Sequence, residues 1–371
     1  MLSGRRKNEP NRIQFQGFDW GCGFLVNILF KFSILVCMAE VFLSNEIEKV
    51  VDNIDFSRLG DNIAVKLHFG EKGCRTFLKP GVVKAVCDKI TSVGNKATLV
   101  ECNVLYRGSR TNTDDHLQTA AEHGFDFAPI DILDGQYGQD FFEVDLPGTF
   151  AGKAKLGKGL LKYDSLIAVT HFTAHEMAGI GGVFKNLGMG LASRAGKLHM
   201  HSDIKCSIDA NRCTGCGICA ENCNADAIEI FEKARINPEK CIGCAMCIAI
   251  CPEKAVMIPW HGSTTDDLQR KIVDYASAVL KAVKGKAVFI NVLQNITDNC
   301  DCLSKRQKPF MDDIGILLSG DIVGIEKASL DLVNENSQGR FEKIHNVNYR
   351  TQIGYAEQKK LGDTKYKLTN I

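Results

Sequence analysis

Ser165-Leu166-Ile167-Ala168-Val169-Thr170-His171-Phe172-Thr173-Ala174-His175-Glu176-Met177-Ala178-Gly179-Ile180-Gly181-Gly182-Val183-Phe184-Lys185-Asn186-Leu187-Gly188-Met189-Gly190 is the stretch on which the fold turns. Residues 165–170 read as a buried strand, and a glycine-rich loop follows it directly. In open α/β sheets, ligands bind beyond the carboxyl ends of the strands. A glycine-rich loop entering a helix can cradle an anion with its backbone N–H groups. Lys185 adds a fixed positive charge there. His171, His175 and Lys185 are therefore candidate catalytic residues, and Gly181, Gly182, Lys185 and Asn186 are candidate cofactor-binding residues. The plainer alternative is that the glycines only let a helix pack closely on the sheet.

The segments on either side repeat the alternation of strand and helix. Residues 40–43, 62–68 and 97–102 read as strands. Pro80 opens a helix to about Val93, with Val82, Val83, Val86 and Ile90 on its buried side and Gly94 closing it. Thr113 is placed to cap a helix to His123. Beyond residue 260, a helix from Thr264 to about Lys284, strands at 287–292 and 313–318, and a helix from Asp321 to about Val333 resume the pattern. Residues 355–371 read as a helix and a closing strand. The fold class is α/β, with a mostly parallel sheet and flanking helices. An α+β ferredoxin-like module of the two-[4Fe–4S] kind is inserted at residues 206–260, dividing the α/β domain into 39–205 and 261–371. A separate C-terminal domain is the alternative.

The insertion is read from cysteine spacing. Cys213-x2-Cys216-x2-Cys219-x3-Cys223 is followed by Cys241-x2-Cys244-x2-Cys247-x3-Cys251-Pro252. This is the bacterial two-cluster ferredoxin pattern, in which the fourth cysteine of each run ligates the other cluster. Cys213, Cys216, Cys219 and Cys251 are assigned to one centre, and Cys241, Cys244, Cys247 and Cys223 to the other. Gly215 and Gly243 suit the tight turns, and residues 227–230 and 255–258 suggest two short strands under the clusters. Asn224 stands where the pattern usually has proline. Zinc sites more often use separated CxxC pairs, and a disulfide framework needs an oxidising compartment.

Other polar residues sit at comparable strand ends: His68, Arg107, Arg110, and the Cys300-Asp301-Cys302 triplet. If these ends share one edge, they converge with His171, His175 and Lys185. His68, Cys300 and Cys302 form a possible second metal site. The two cysteines look too close for an easy disulfide and read as ligands, a redox thiol pair or ordinary thiols. His171 and His175 would share a face only if their turn were helical. His199 and His201 read as linker residues. Cys22, Cys37, Cys74, Cys87, Cys102 and Cys206 show no pattern.

Composition narrows the classes. The chain has 371 residues, 16 of them cysteine, with 45 Lys plus Arg against 44 Asp plus Glu. That balance argues against a nucleic-acid binder working through a basic face. An apolar content of 45% excludes a disordered chain. Many free thiols fit a reducing interior, so a cytoplasmic location is expected. Residues 1–38 read as a leader outside the fold, with Met38 as the start. The apolar run from Gly21 to Met38 is broken by Asn27 and Lys31. A charge inside an apolar run weighs against a membrane anchor, and an anchor or targeting role is the alternative.

The order Lys66-Leu67-His68-Phe69-Gly70-Glu71-Lys72-Gly73, the His171–Lys197 stretch, the paired cysteine runs, Cys300-Asp301-Cys302 and residues 313–334 resembles the domain of unknown function 362 family of iron–sulfur-centre proteins. The resemblance implies an α/β domain carrying a two-cluster ferredoxin module, and implies no known reaction. The spacing of His175, Gly181, Gly182, Lys185 and His201 is also similar to that of the nickel-dependent lactate racemase family. There a histidine and a lysine around a Gly-Gly pair hold a pyridinium-type nickel cofactor. The leading expectation is an oxidoreductase, or a subunit of one, that passes single electrons through two [4Fe–4S] clusters to or from a ligand in the α/β domain. An unidentified anionic ligand or metal there, and a redox partner protein or a small-molecule substrate, go with that reading. The alternatives are a pure electron carrier whose α/β domain docks a partner, and a redox-sensing or assembly protein with structural clusters.

Overall fold

The computed structural model describes residues 12–13, 38–202, 205–260 and 262–371. Its centre is a sheet of β1 (Ala39–Ser44), β2 (Asn62–Lys66), β3 (Lys96–Glu101), β4 (Ile130–Ile132), β5 (Ser165–His171), β6 (Ala287–Leu293), β7 (Gly315–Ser319) and β8 (Tyr366–Asn370). The spatial order is β8-β1-β7-β6-β5-β2-β3-β4. Only β7 runs against its neighbours β6 and β1; every other pairing in this sheet is parallel. The mostly parallel α/β architecture expected from the alternation is present.

β5 is central, and all seven of its residues are buried. Side chains alternate across a strand, and β5 divides accordingly. Leu166 and Ala168 join one apolar cluster, while Ile167 and Val169 join the other. The first cluster lies under α4 (Val183–Gly188), α6 (Thr265–Ala282) and α7 (Ile322–Asn336), through Leu187, Ile272 and Ile325. The second lies under α2 (Pro80–Ser92), through Val83, Val86 and Ile90. The other helices of the α/β part are α1 (Ile47–Asp52), α3 (Thr113–Glu122), α5 (Arg194–His201) and α8 (Thr351–Gln358), and two short helices, Ile218–Glu221 and Met246–Ile250, lie in the cysteine segment. From β2 the chain moves outward to β3 and β4, then returns to place β5 on the other side of β2. The strand order reverses there, which opens a crevice at the carboxyl ends of β2 and β5.

Several local readings differ from the structure. Asn112, not Thr113, caps α3, because its side chain accepts from the Asp115 amide. The expected glycine-rich loop holds a hairpin, Thr173–His175 paired antiparallel with Gly179–Gly181, before α4 begins. His199 and His201 belong to α5 and are not linker residues. The two short strands read at residues 227–230 and 255–258 are present: Ile228–Ile230 pairs with Ala234–Ile236, and Val256–Met257 with Ser207–Ile208. The antiparallel pair Phe141–Leu146 and Gly152–Gly157 was not anticipated. The leader reading and Cys22 and Cys37 lie outside the described residues, except that Arg12 and Ile13 pair parallel with Glu143 and Val144. No helix among the described residues is long and apolar enough to cross a membrane.

The packing role of one glycine is explicit. A Cβ on Gly188 would lie 2.1 Å from the Ile272 carbonyl oxygen of α6. Gly188→Ala is expected to destabilise the protein by about 1–3 kcal/mol through this overpacking. Thermal unfolding beside Gly354→Ala checks it, since a Cβ on Gly354 meets nothing within 4 Å. A Gly188→Ala midpoint equal to that of the control would contradict the packing argument.

Candidate functional site

A cavity of about 960 Å³ opens at the carboxyl ends of the central strands. Its wall includes His68, Arg107, Arg110, His171, His175, Lys185, Asn186, Cys300 and Cys302. The strand-end residues therefore share one edge, and so do Gly181, Gly182 and His201.

The floor is a chain of buried charges. Lys66, the last residue of β2, lies 2.8 Å from one oxygen of Glu101, the last residue of β3. The other Glu101 oxygen is 3.2 Å from Arg110 Nη1, and Arg110 Nε is 3.3 Å from Glu71. Arg110 Nη2 donates to the Tyr106 hydroxyl at 2.7 Å. Lys66 also donates to Asn186 Oδ1 at 2.7 Å, and the Asn186 amide donates to Val169 O and Thr170 Oγ1 of β5. Burial pulls the Lys66 ammonium down from its ordinary range, and Glu101 opposes that pull. Arg194 of α5 braces the adjoining loop by donating to Tyr137 O, Leu105 O and Thr111 O.

His171 serves a clamp. Its Nδ1 lies 2.6 Å from an Asp301 carboxylate oxygen and its Nε2 lies 2.8 Å from Gln294 O. Both ring nitrogens face acceptors, so both carry hydrogen. Burial alone would lower the imidazole, but Asp301 outweighs it and the net shift is upward. Burial likewise opposes ionisation of Asp301, and His171 with the donors Cys74 and Thr76 holds its carboxyl below the ordinary range. The anchored Asp301 folds its neighbours back on themselves. Cys300 and Cys302, which seemed too close for an easy disulfide, are bridged with their Cα atoms 5.4 Å apart.

Lys185 projects from α4 with its Nζ 3.5 Å from Cys300 Sγ. Burial lowers it to about 8, against the pull of Asp301. Among the described residues, no carboxylate lies within ion-pair distance of Lys185. Lys66 and Arg110 are balanced by Glu101 and Glu71, and His171 by Asp301, so Lys185 leaves the cleft cation-rich. Lys197, another lining residue, donates to the Ala192 and Gly190 carbonyls. His175 and His201 are neutral, because burial pushes both far down. His68 likewise falls, and its Nδ1 accepts from the Gly70 amide.

The anion cradle expected at Gly181 and Gly182 is filled from within the chain. The Val183 amide donates to Glu326 Oε2 at 3.0 Å, and a Cβ on Gly182 would lie 2.3 Å from that carboxylate. The glycines admit Glu326 of α7, which leaves Lys185 as the anion-attracting group on this segment. His171 and His175 are not on one helical face. They belong to successive strands and still line the same cleft.

The eight patterned cysteines fall around two small recesses. Cys213, Cys216, Cys219 and Cys251 line one. Cys223, Cys241, Cys244 and Cys247 line the other, which Cys206 and Cys219 also touch. Gly215 and Gly243 have φ values of 72° and 68°, in the left-handed region that tight turns need. The amides of Ala234, Ala227 and Ala255 donate to the sulfurs of Cys213, Cys223 and Cys251. Arg107 reaches from the cleft to Ala249 O and Pro252 O beside Cys251. Leu105, also in the cleft wall, packs in the apolar cluster that contains Cys213, Cys219 and Cys251. Lys66, Glu71, Glu101, Arg194 and Asp301 were not singled out from the sequence. The usable signal was charge at the ends of apolar strands, as in Lys66 and Glu101.

Over residues 63–331 the chain matches the family described as domain of unknown function (DUF362). No curated protein matches it. Among solved structures it is similar to the lactate racemase apoprotein from Thermoanaerobacterium thermosaccharolyticum, at 13% identity and a TM-score of 0.36, covering 72% of this chain and 53% of that one. It is also similar to a Thermotoga maritima protein known from its crystal structure, at 12% identity and a TM-score of 0.41, covering 79% and 57%. The chain spans little more than half the length of each.

The His171–Asp301 clamp has a defined pH window. His171 is raised above 6.5, so its contribution is complete below that value and is lost as pH rises through the raised pKa. Asp301 is lowered below 3.8, so its contribution is complete above that value and is lost as pH falls through the lowered pKa. Asp301→Asn is expected to cost about 3–5 kcal/mol inside that window, by leaving a buried imidazolium without its partner. Denaturant titrations from pH 2 to 9 check this. An Asp301→Asn curve parallel to wild type across both limits would contradict it.

Proposed function

This chain belongs to the DUF362 family, and from that premise we propose that it is an iron–sulfur redox protein serving a ligand held in the cleft of its α/β domain. The observation that carries the reading is the sorting of eight cysteines into two quartets. Each quartet lines its own recess, beside a cation-rich cleft. The donor set fits cubane clusters, because soft thiolates are the ligands of iron–sulfur centres. Cys213, Cys216, Cys219 and Cys251 would hold one [4Fe–4S] centre. Cys223, Cys241, Cys244 and Cys247 would hold the other, making residues 206–260 an inserted two-cluster ferredoxin-like module. Bound there, each cluster supplies one-electron chemistry.

The chain's own residues prepare both ends of that transfer. The amides of Ala234, Ala227 and Ala255 donate to the sulfurs of Cys213, Cys223 and Cys251, and hydrogen bonds to the sulfurs are one lever on a cluster's potential. Arg107 and Leu105 join the first quartet to the cleft wall. In the cleft, Lys185 attracts an anionic ligand, while the Lys66–Glu101–Arg110–Glu71 floor holds the site rigid. A carrier that only docked a partner would need no cleft of this size with a cation that no carboxylate among the described residues matches. The cleft therefore favours an oxidoreductase, or a subunit of one, over a simple carrier.

Anaerobically purified protein is expected to hold about eight irons per chain, with the broad visible absorption of cubane clusters. Stoichiometric zinc without iron would contradict the assignment. Cys216→Ser is expected to lose about half of that iron and to destabilise residues 206–260, because ligation contributes folding energy. Normal iron content in that variant would contradict the pairing of ligands. Lys185→Ala is expected to keep its iron and to weaken binding of small carboxylates or phosphates about tenfold or more, read by calorimetry. Unchanged binding would contradict the anionic-ligand reading.

A further inference from the structure

We propose that Cys300 and Cys302 are a redox-active disulfide, a two-electron centre in the cleft that single electrons from the cysteine module open to a dithiol. This rests on the reading of the two quartets as cluster ligands. Three observations on the pair carry the proposal.

The first is selectivity. Cys300 and Cys302 are bridged, while the twelve other described cysteines are free. The bridge encloses a single residue, and stabilisation by loop closure grows with loop length. A staple would gain least here, so the position argues for chemistry.

The second is placement. Both sulfur-bearing residues line the cleft. The segment is pinned from several sides: Asp301 by His171, Thr76 and Cys74, the Asp301 carbonyl by the Glu71 amide, and the Cys302 carbonyl by the Tyr106 hydroxyl at 3.0 Å. These contacts do not involve the sulfurs, so the bridge can open without releasing the loop. Tyr106 and Arg107 are neighbours in the loop that reaches the first cysteine quartet.

The third is the company of the sulfurs. Lys185 Nζ is 3.5 Å from Cys300 Sγ. A cation beside a sulfur stabilises the thiolate. A ring nitrogen of His175 lies within 4.8 Å of both sulfurs. His175 Nδ1 accepts from the Met177 and Ala178 amides at 3.2 and 3.1 Å, so the ring hydrogen sits on Nε2. That tautomer makes Nε2 a donor and not a metal ligand. It favours a disulfide over a metal site built from His175, Cys300 and Cys302.

The step balances as follows. The sulfur–sulfur bond breaks, and two electrons arrive singly from an external one-electron donor through the module. Two protons complete the dithiol. Both protons come from acid in bulk solvent: Lys185 relays one to Cys300, and the other reaches Cys302 directly. The opened pair returns the electrons to an oxidised substrate, and the disulfide class of substrate fits by thiol–disulfide exchange.

The test uses the anaerobically purified, cluster-loaded full chain, with reduced methyl viologen as the one-electron donor and iodoacetamide as the trap. Peptide mass spectrometry reads the residue 300–302 segment, and visible absorption reads the clusters. Before reduction, neither cysteine is expected to be alkylated; afterwards, both are. In Cys244→Ser, viologen is expected to leave the pair closed while dithiothreitol opens it. Lys185→Met is expected to slow alkylation of the opened pair about tenfold near pH 7.5, through a raised thiol pKa. Clusters that bleach while the pair stays closed would overturn the inference and spare the cluster reading. Absence of cluster absorption would overturn both. Alkylation of both cysteines before reduction, or stoichiometric zinc that is lost in Cys300→Ser, would overturn the inference alone.

Discussion

Four charged side chains buried at the carboxyl ends of β2 and β3 hold the rest of the cleft in place. Lys66, Glu101, Arg110 and Glu71 alternate in sign within ion-pair distance, all of them removed from water. Each alone would be expensive to bury, and losing one partner of a buried pair typically costs about 3–5 kcal/mol. The chain is tolerated because it is continuous and neutral. It joins two strand ends to the loop after β2 and to the loop after β3, and through Asn186 it reaches β5 and α4. Those elements carry His68, Arg107, Arg110, His171, Lys185 and Asn186 of the site.

A second, smaller pair repeats the logic. His171 at the end of β5 and Asp301 in the loop after β6 fix the Cys300–Cys302 turn. With both sets internally balanced, Lys185 remains a cation lining the cavity with a sulfur as its polar neighbour. Its charge is available to an incoming ligand, which is the ground for proposing an anionic one. On the far wall, Arg107 and Leu105 connect this space with the cysteine segment, so the two chemistries are structurally adjacent.

Much of this was legible in the sequence. The buried run of β5, the helix opened by Pro80 and the long helix starting at Thr264 were read from periodicity and residue type, and the fold agrees with them, with Thr264 as the cap. The convergence of His68, His171, His175, Lys185 and Cys300 followed from placing polar residues at parallel strand ends. What escaped depends on partners distant in sequence. Glu326 is 143 residues from the Val183 amide it meets, and no local pattern shows that it fills the glycine turn. Asp301 and His171 are separated by 130 residues. The Cys300–Cys302 bridge flanks that long-range contact, and spacing alone misjudged it. His201 read as a linker because α5 is short and its apolar face is interrupted by charges that fold inward.

We propose that the two cysteine quartets hold a coupled pair of clusters beside the cleft. Electron paramagnetic resonance of the anaerobically prepared and fully reduced protein tests it most directly. The account predicts a signal integrating to about two spins per chain, broadened by interaction between two neighbouring centres. A signal of one isolated centre, or none in protein that is demonstrably folded, would contradict it.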